Sequence, residues 1–124
     1  MTQRLPGTAD EIRARVPGVR DSHAEIRDDV LRAGIVDADL KELCFRSLAG
    51  DPASRDLGRY DARERVALEW TEAIASNSAL ADDALWTRLH QHFNEPELVE
   101  LGCAIGFELG FQHWRRSLGL AARD

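Results

Sequence analysis

The chain has 124 residues, enough for one compact domain that buries a hydrophobic core without disulfide bonds. Its formal net charge is -6, and its arginines are spread among carboxylates, so no basic stripe is available to bind nucleic acid. The first residues form no apolar signal core, and no apolar run approaches the roughly 18 residues of a membrane span. We therefore expect a cytoplasmic protein without a nucleic-acid or membrane partner.

The first 20 residues are predicted to form an N-terminal arm. Thr8 and Glu11 have the spacing of a capping box, which can open a short helical turn. Pro17 and Gly18 are expected to break this turn before the main domain, which we place at residues 21–120. The arm either wraps a neighbouring chain or is mobile.

Two helices are predicted next. Ser22 and Glu25 form a capping box, and helical spacing of apolar residues continues to Gly34, which predicts a helix over 22–32. Asp37 then caps a second helix that ends before residue 50. One side of this second helix is lined by Leu40, Leu43, Cys44, Ser47 and Leu48. Residues 51–60 are predicted to be irregular.

Helices three and four have clear start signals. Asp61 and Glu64 form a third capping box, and the helix that follows should stop at residues 76–78. Asp82 opens helix four. Its apolar side is predicted to contain Leu85, Leu89, His92 and Phe93.

The last helix begins at a capping box formed by Asn94 and Glu97. Apolar residues occur all round it over 98–114, so we expect it to be buried on most sides. Glycines recur every four residues at positions 102, 106 and 110, which predicts that another helix crosses closely there.

These elements predict an all-α fold, a single-domain bundle of about five helices. An apolar helix in so short a chain also favours contact with another subunit, so we expect a homo-oligomer.

Residues 40–44, Leu-Lys-Glu-Leu-Cys, and residues 61–70 together resemble the carboxymuconolactone decarboxylase superfamily, which includes alkylhydroperoxidase D. The resemblance covers about residues 37–120 and implies an alkylhydroperoxidase D-like fold and an oligomer. Its best local match, the pattern Glu-Arg-x-x-Leu-x-x-x-Glu-Ala, lies at Glu64, Arg65, Leu68, Glu72 and Ala73.

The chain departs from this family at its redox centre. The family's Cys-x-x-Cys pair corresponds to residues 54–57, where this chain has Ser-Arg-Asp-Leu. Only Gly58, Arg59 and Tyr60 replace the helix that usually follows the pair. Because neither Ser54 nor Leu57 can attack a peroxide or form a disulfide, thiol peroxidase chemistry is not expected at this position.

Glu42 matches the family's proton-relay carboxylate, which implies a catalytic base if burial raises its pKa. The alternative is an exposed ion pair with Arg46, four residues on. His92 and His113 are the catalytic partners that we consider, and His23 is a third inward-facing histidine. Each of them could instead be a hydrogen-bonded core residue.

Glu108 lies in the apolar last helix and needs a partner, either in a structural ion pair or as a pocket carboxylate with a raised pKa. Together with His23, the aromatic residues Trp86 and Trp114 complete the predicted substrate-binding set.

No helix has a Glu-x-x-His or His-x-x-x-His pair, and no glycine-rich phosphate loop occurs, so we predict neither a metal nor a cofactor. Cys44 and Cys103 lie among apolar neighbours in helices and are expected to be reduced, inert thiols.

Three functions remain open. The first is a family member without the redox cysteines that binds or transforms a small-molecule ligand by acid–base chemistry. As an enzyme it would be a decarboxylase-like or isomerase-like lyase rather than a thiol peroxidase. The second is a non-catalytic oligomeric scaffold with a degenerate active site. The third is residual alkylhydroperoxidase activity through Cys44 and Cys103, which would require a lowered thiol pKa.

Overall fold

Six α-helices pack together in residues 2–124, the part of the chain that the computed structural model describes. They are α1 (Ala9–Arg13), α2 (Pro17–Ile26), α3 (Ala38–Leu48), α4 (Ala62–Ser76), α5 (Asp83–His92) and α6 (Glu95–Ser117). This part contains no β-strand, so the predicted all-α class is confirmed, with six helices where about five were expected. None of its helices combines the length and the apolarity needed to cross a membrane.

The predicted capping residues begin five of these helices. The Thr8 hydroxyl accepts the Glu11 N–H at the start of α1. The Asp61 side chain accepts the Glu64 N–H at the start of α4, and the Glu64 side chain accepts the Asp61 N–H in return. Asn94 and Glu97 form the same reciprocal pair at the start of α6. Asp37 and Asp82 cap α3 and α5 as predicted. Because these contacts satisfy N–H groups that have no partner within the helix, the sequence fixes the helix starts locally.

The start of α2 was predicted wrongly. Pro17 does not break the chain but occupies the first position of α2, where its fixed φ and missing N–H are tolerated. Ser22 therefore lies inside the helix, and α2 continues into a π-helical turn, Arg27–Leu31. Since α2 spans residues 20 and 21, it crosses the boundary that we placed between arm and domain.

The core lies where α3, α4 and α6 meet, and α5 packs on α4. The side chains that are fully shielded from solvent in this core include Cys44, Ala67, Leu89, Leu101 and Ile105. Gly102 lets α6 approach α4 closely, since a Cβ at this position would lie 2.7 Å from a ring carbon of Trp70. The predicted close crossing is therefore present at the first glycine of the series.

One face of α6 is open, which contradicts the prediction that this helix is buried on most sides. Val99 and Phe107 are 67% and 39% exposed, and a Cβ at Gly106 or Gly110 would meet nothing within 4 Å. The open face also contains Cys103 and His113. Apolar residues all round the helix therefore do not mean that the chain covers every side of it.

A buried ion pair joins the start of α3 to α6. Lys41 is fully buried, and its Nζ donates to the carbonyls of Val30 at 2.7 Å and Ala33 at 2.6 Å. The same ammonium lies 3.1 Å from the Glu100 carboxylate. Glu100 in turn accepts the N–H groups of Ile35 and Val36. This lysine therefore satisfies the last carbonyls of the π-helical region, and Glu100 fixes the loop that follows.

Gly34 is required for this arrangement. Its φ is +106°, a conformation that residues with a side chain rarely adopt. A Cβ there would also lie 1.7 Å from Oε1 of Glu100, so any side chain would displace the carboxylate.

We expect Gly34→Ala to lower the free energy of unfolding by about 2–4 kcal/mol, because it combines backbone strain with loss of the Glu100 hydrogen bonds. Gly18→Ala is the matched control. Gly18 lies in α2 with ordinary helical φ and open space around it, so this change should stabilise the protein by about 0.5–1 kcal/mol. Urea unfolding followed by circular dichroism measures both, and equal stabilities for the two variants would contradict this account of Gly34.

Candidate functional site

A cleft of about 310 Å³ lies beside α3 and α6, under α1, α2 and the segment that follows α6. Its lining has five arginines, namely Arg13, Arg27, Arg32, Arg115 and Arg123. It also has four carboxylates, namely Asp10, Glu42, Glu108 and Asp124. Four of these arginines are in ion pairs with carboxylates. Arg32 forms no ion pair within residues 2–124, so the cleft has one free positive charge for an anionic group of a ligand.

Helical spacing brings the site residues to the cleft. Glu42 and Phe45 are three residues apart on α3, and Glu108 and Phe111 have the same spacing on α6, so each pair shares one side of its helix. The π-helical turn after α2 presents Arg27 to the same space, and its defining bond joins the Arg32 N–H to the Arg27 carbonyl at 3.0 Å. Such turns are rare and occur often at functional sites.

Arg123 joins the two glutamates of the cleft. Its guanidinium donates to both Glu42 carboxylate oxygens, at 2.7 and 2.8 Å, which is the strong bidentate geometry. Its Nε also lies 3.4 Å from the Glu108 carboxylate. The alternative considered for Glu42, a partly exposed ion pair, is therefore present, but its partner is Arg123, 81 positions away, and not Arg46.

The two glutamates differ in their acidity. Arg123 holds the pKa of Glu42 below its usual value, since its hydrogen bonds outweigh the effect of partial burial. Burial raises the pKa of Glu108, despite a hydrogen bond from Gln112 and the charge of Arg123. Their side chains are 46% and 13% exposed, which accounts for the difference in desolvation. The condition for Glu42 to act as a base, a pKa raised by burial, is therefore not met, whereas the raised pKa considered for Glu108 is found.

Gln112 fixes the orientation of the Glu108 carboxylate. Its buried amide Nε2 donates to Glu108 at 2.9 Å and to the Phe45 carbonyl at 3.0 Å. Its Oε1 has no hydrogen-bond partner among residues 2–124. Because both donors are engaged, the amide is fixed in one orientation and holds the Glu108 carboxylate toward the cleft.

His23 also lines this cleft. Its ring meets the edge of Phe111, with centroids 4.8 Å apart. Burial lowers the pKa of His23, and the nearby positive charge of Arg13 adds to the effect. The neutral imidazole is therefore favoured, which can donate one hydrogen bond and accept another.

The structure brings together only part of the predicted site. Glu42, Glu108 and His23 line the cleft, and Trp114 borders it by packing against the Arg13 guanidinium, 4.9 Å away. His92 lies at the end of α5, and His113 lies on the open face of α6. Trp86 packs on Trp70 and His90 instead. None of these last three predicted residues lines the cleft.

The positions that match the family's cysteine pair lie elsewhere. Ser54 and Leu57 line a second cleft of about 590 Å³, whose apolar lining includes Leu68 and Leu85. The buried Ser54 hydroxyl donates to the Asp51 carbonyl. Glu42 does not line this second cleft, so Glu42 and the positions expected to correspond to a cysteine pair lie in separate clefts.

The cysteines are both free, but only one matches its predicted setting. Cys44 is fully buried, and burial raises its pKa to about 11, so its thiolate is scarce at neutral pH. Cys103 is exposed on α6, not buried among apolar neighbours as expected. Within residues 2–124, no group of three or more His, Cys, Asp or Glu side chains could hold a metal ion.

The arginines of the cleft were missed by sequence reasoning. Arg123 follows the helix stop at Gly119 and has no periodic signal, so a linear reading treats it as part of a tail. Arg27 and Arg32 resemble ordinary surface residues of an amphipathic helix. The one sequence signal that could have indicated these arginines is the cluster of charged residues next to the ends of the predicted helices.

Comparison with known proteins gives one partial relative. A segment of 49 residues is 43% identical to the uncharacterized protein YnjA of Escherichia coli (strain K12). The match covers 40% of this chain and 27% of that protein. No family model matches the chain. No solved structure matches it.

The opposite pKa shifts predict opposite pH effects for two variants. A lowered pKa means that Glu42 stabilises the folded state above its ordinary pKa of 4.5, and that this contribution is lost as the pH falls through the folded value. The raised pKa means that Glu108 weakens folding as the pH rises through its own folded value. As the pH rises from about 3 to neutrality, the stability of Glu42→Gln should therefore fall relative to wild type, whereas that of Glu108→Gln should rise relative to wild type.

Urea unfolding at a series of pH values measures both trends, and parallel trends for the two variants would contradict the assignment.

Proposed function

We propose that this protein binds, and transforms by acid–base steps, a small organic molecule in the cleft that contains Glu42 and Glu108. The observation that supports the proposal most directly is that one cleft holds two carboxylates in different surroundings. Glu42 is paired with Arg123, which lowers its pKa, and Glu108 is only 13% exposed, which raises its pKa. Pairs of this kind supply a proton donor and an ionised acceptor at the same pH. Glu108 is the donor in this scheme, and Glu42 remains ionised.

The arginine-rich lining supports a ligand with a carboxylate. Arg32 forms no ion pair with residues 2–124, which leaves its guanidinium available for such a group. His23 in its neutral form can relay a proton or fix a ligand oxygen. In an isomerisation, neutral His23 would accept a proton from one atom of the ligand and protonated Glu108 would donate one to another, while Glu42 stays ionised. The two steps together leave the charge of the site unchanged. Proton exchange with solvent then restores His23 and Glu108.

We place the chain among divergent relatives of the carboxymuconolactone decarboxylase and alkylhydroperoxidase D proteins that lack thiol redox chemistry. The helical bundle and the sequence pattern of residues 61–70 support this placement. The separation of Glu42 from Ser54 and Leu57 is a departure from the family's site. The state of Cys44 argues against residual peroxidase activity, because a buried thiol with a pKa of about 11 forms little of the attacking thiolate. A decarboxylase-like or isomerase-like lyase is the reaction class that follows.

The test is a ligand and turnover screen with small carboxylic acids and lactones. Binding is followed by protein NMR shifts, and turnover is followed by product analysis. We expect Glu108→Gln to lower turnover by about 10²–10⁴-fold, the usual contribution of a general acid. Glu72→Gln is the matched control, because Glu72 lines the second cleft and should leave turnover unchanged. Equal turnover in Glu108→Gln and wild type would refute the acid–base assignment.

We also propose that the protein forms a homo-oligomer. The alternative function, a non-catalytic oligomeric scaffold, requires one. The observation that favours the oligomer is the open face of α6, where Val99, Phe107 and two glycines leave apolar and backbone surface uncovered. A second copy could approach this face closely because Gly106 and Gly110 have no side chains.

Sedimentation equilibrium tests this second proposal. Gly106→Arg should convert the oligomer to monomer, since a long charged side chain would occupy the contact. Leu80→Arg is the control, because Leu80 is also an exposed apolar residue but lies away from α6. A wild-type protein that is monomeric at all concentrations would rule the oligomer out.

A further inference from the structure

The segment after α6 folds back over the cleft. Gly119 turns the chain with a φ of +80°, and residues 122–124 then line the cleft together with α3 and α6. The turn is held in place, because the Leu118 carbonyl accepts the Arg4 N–H at 2.7 Å. Arg115 of α6 also donates to the Ala121 carbonyl at 2.9 Å. We call residues 121–124 the strap.

The strap places a planar cation on the two glutamates. The bidentate contact of Arg123 with Glu42 fixes the plane of its guanidinium, and the Nε edge of that plane faces Glu108. The ring of Phe45 lies 6.0 Å from the same guanidinium. These three groups together form a guanidinium-binding site. Glu42 supplies the ionised carboxylate, Glu108 a second carboxylate at the edge, and Phe45 an aromatic face.

The next residue of the strap places an anion on an arginine. Asp124 accepts from Arg115 at 2.7 Å, and its side chain is otherwise 91% exposed. Arg13 and Arg32 line the same side of the cleft and add positive charge around this position. Adjacent residues of the strap thus occupy a cation subsite and an anion subsite of one cleft.

We propose that the cleft binds a small zwitterion with a guanidinium-type cation and a carboxylate, and that Arg123 and Asp124 fill it until such a ligand displaces them. This inference rests on the proposed function, because it names the ligand class of the same cleft. The cation of the ligand pairs with Glu42, which places the atom next to it beside Glu108 for proton transfer. The carboxylate of the ligand takes the position of Asp124 on Arg115.

The strap is suited to reversible displacement. The Asp124 side chain is 91% exposed, so its ion pair contributes little net stability. The bidentate Arg123 pair is stronger, but it is partly exposed, and the guanidinium of a ligand can replace it on Glu42 with the same geometry. The strap is also tethered to the site by a short turn, which gives its own charges a high local concentration. A free ligand must compete with this concentration, so removing the strap's charges should strengthen ligand binding.

The experiment uses a dipeptide probe that reproduces the strap, N-acetyl-arginyl-aspartyl amide, and the double variant Arg123→Ala with Asp124→Ala. Binding is measured by calorimetry and by protein NMR shifts. We expect the double variant to bind the probe at least about tenfold more tightly than wild type. Methylguanidinium or acetate alone should bind more weakly, because each fills one subsite.

Glu42→Gln added to the double variant should abolish the gain, whereas Glu72→Gln added to it should not. Circular dichroism establishes that each variant is folded. Binding of the probe to the single variants Arg123→Ala and Asp124→Ala measures the contribution of the cation subsite and of the anion subsite separately. Failure of the double variant to bind the probe, or binding that survives Glu42→Gln, overturns the inference. If lactones or simple acids still bind and depend on Glu108, the proposed function stands and only this ligand class is wrong.

Discussion

The buried contact between Lys41 and Glu100 is the constraint on which the arrangement of this bundle depends. It joins α3 to α6, closes the carbonyl end of the π-helical region and holds the loop at residues 34–36. Burial alone would raise the pKa of Glu100, but the hydrogen bonds from Val36 and Lys41 outweigh it and lower the pKa. A charge pair of this kind is costly to break, since losing one partner leaves the other unpaired in the core.

This constraint also orients the cleft. Lys41 and Glu42 are neighbours on α3, so their side chains point about 100° apart around the helix. When Lys41 is fixed toward the core, Glu42 must face outward toward α6 and the strap. The candidate site therefore has an ionised glutamate at a defined position, although that glutamate is itself half exposed. Lys41, which fixes the packing of α3, and Glu42, which belongs to the candidate site, are therefore consecutive residues.

The sequence predicted what depends on local contacts and missed what depends on distant ones. Asp61 with Glu64 and Asn94 with Glu97 identified helix starts, because each pair acts within one turn. Ser22 failed as a cap because Pro17 had already started the helix. The open side of α6 could not be foreseen, since hydropathy does not tell which face a bundle covers. Glu42, Glu108 and His23 were found as candidates, but their common partner Arg123 lies beyond the last helix stop and has no periodic pattern.

The π-helical turn makes the cleft sensitive to the length of the chain. One extra residue is accommodated between Arg27 and Arg32 in a helix that otherwise advances by about 3.6 residues per turn. Deleting a single residue from this turn would restore regular winding and rotate everything before it by about 100° relative to α3. His23 and the whole of α1 would then swing away from Glu42 and Glu108. In this protein, one extra residue in the π-helical turn decides whether α1 and α2 share a cleft with α3 and α6.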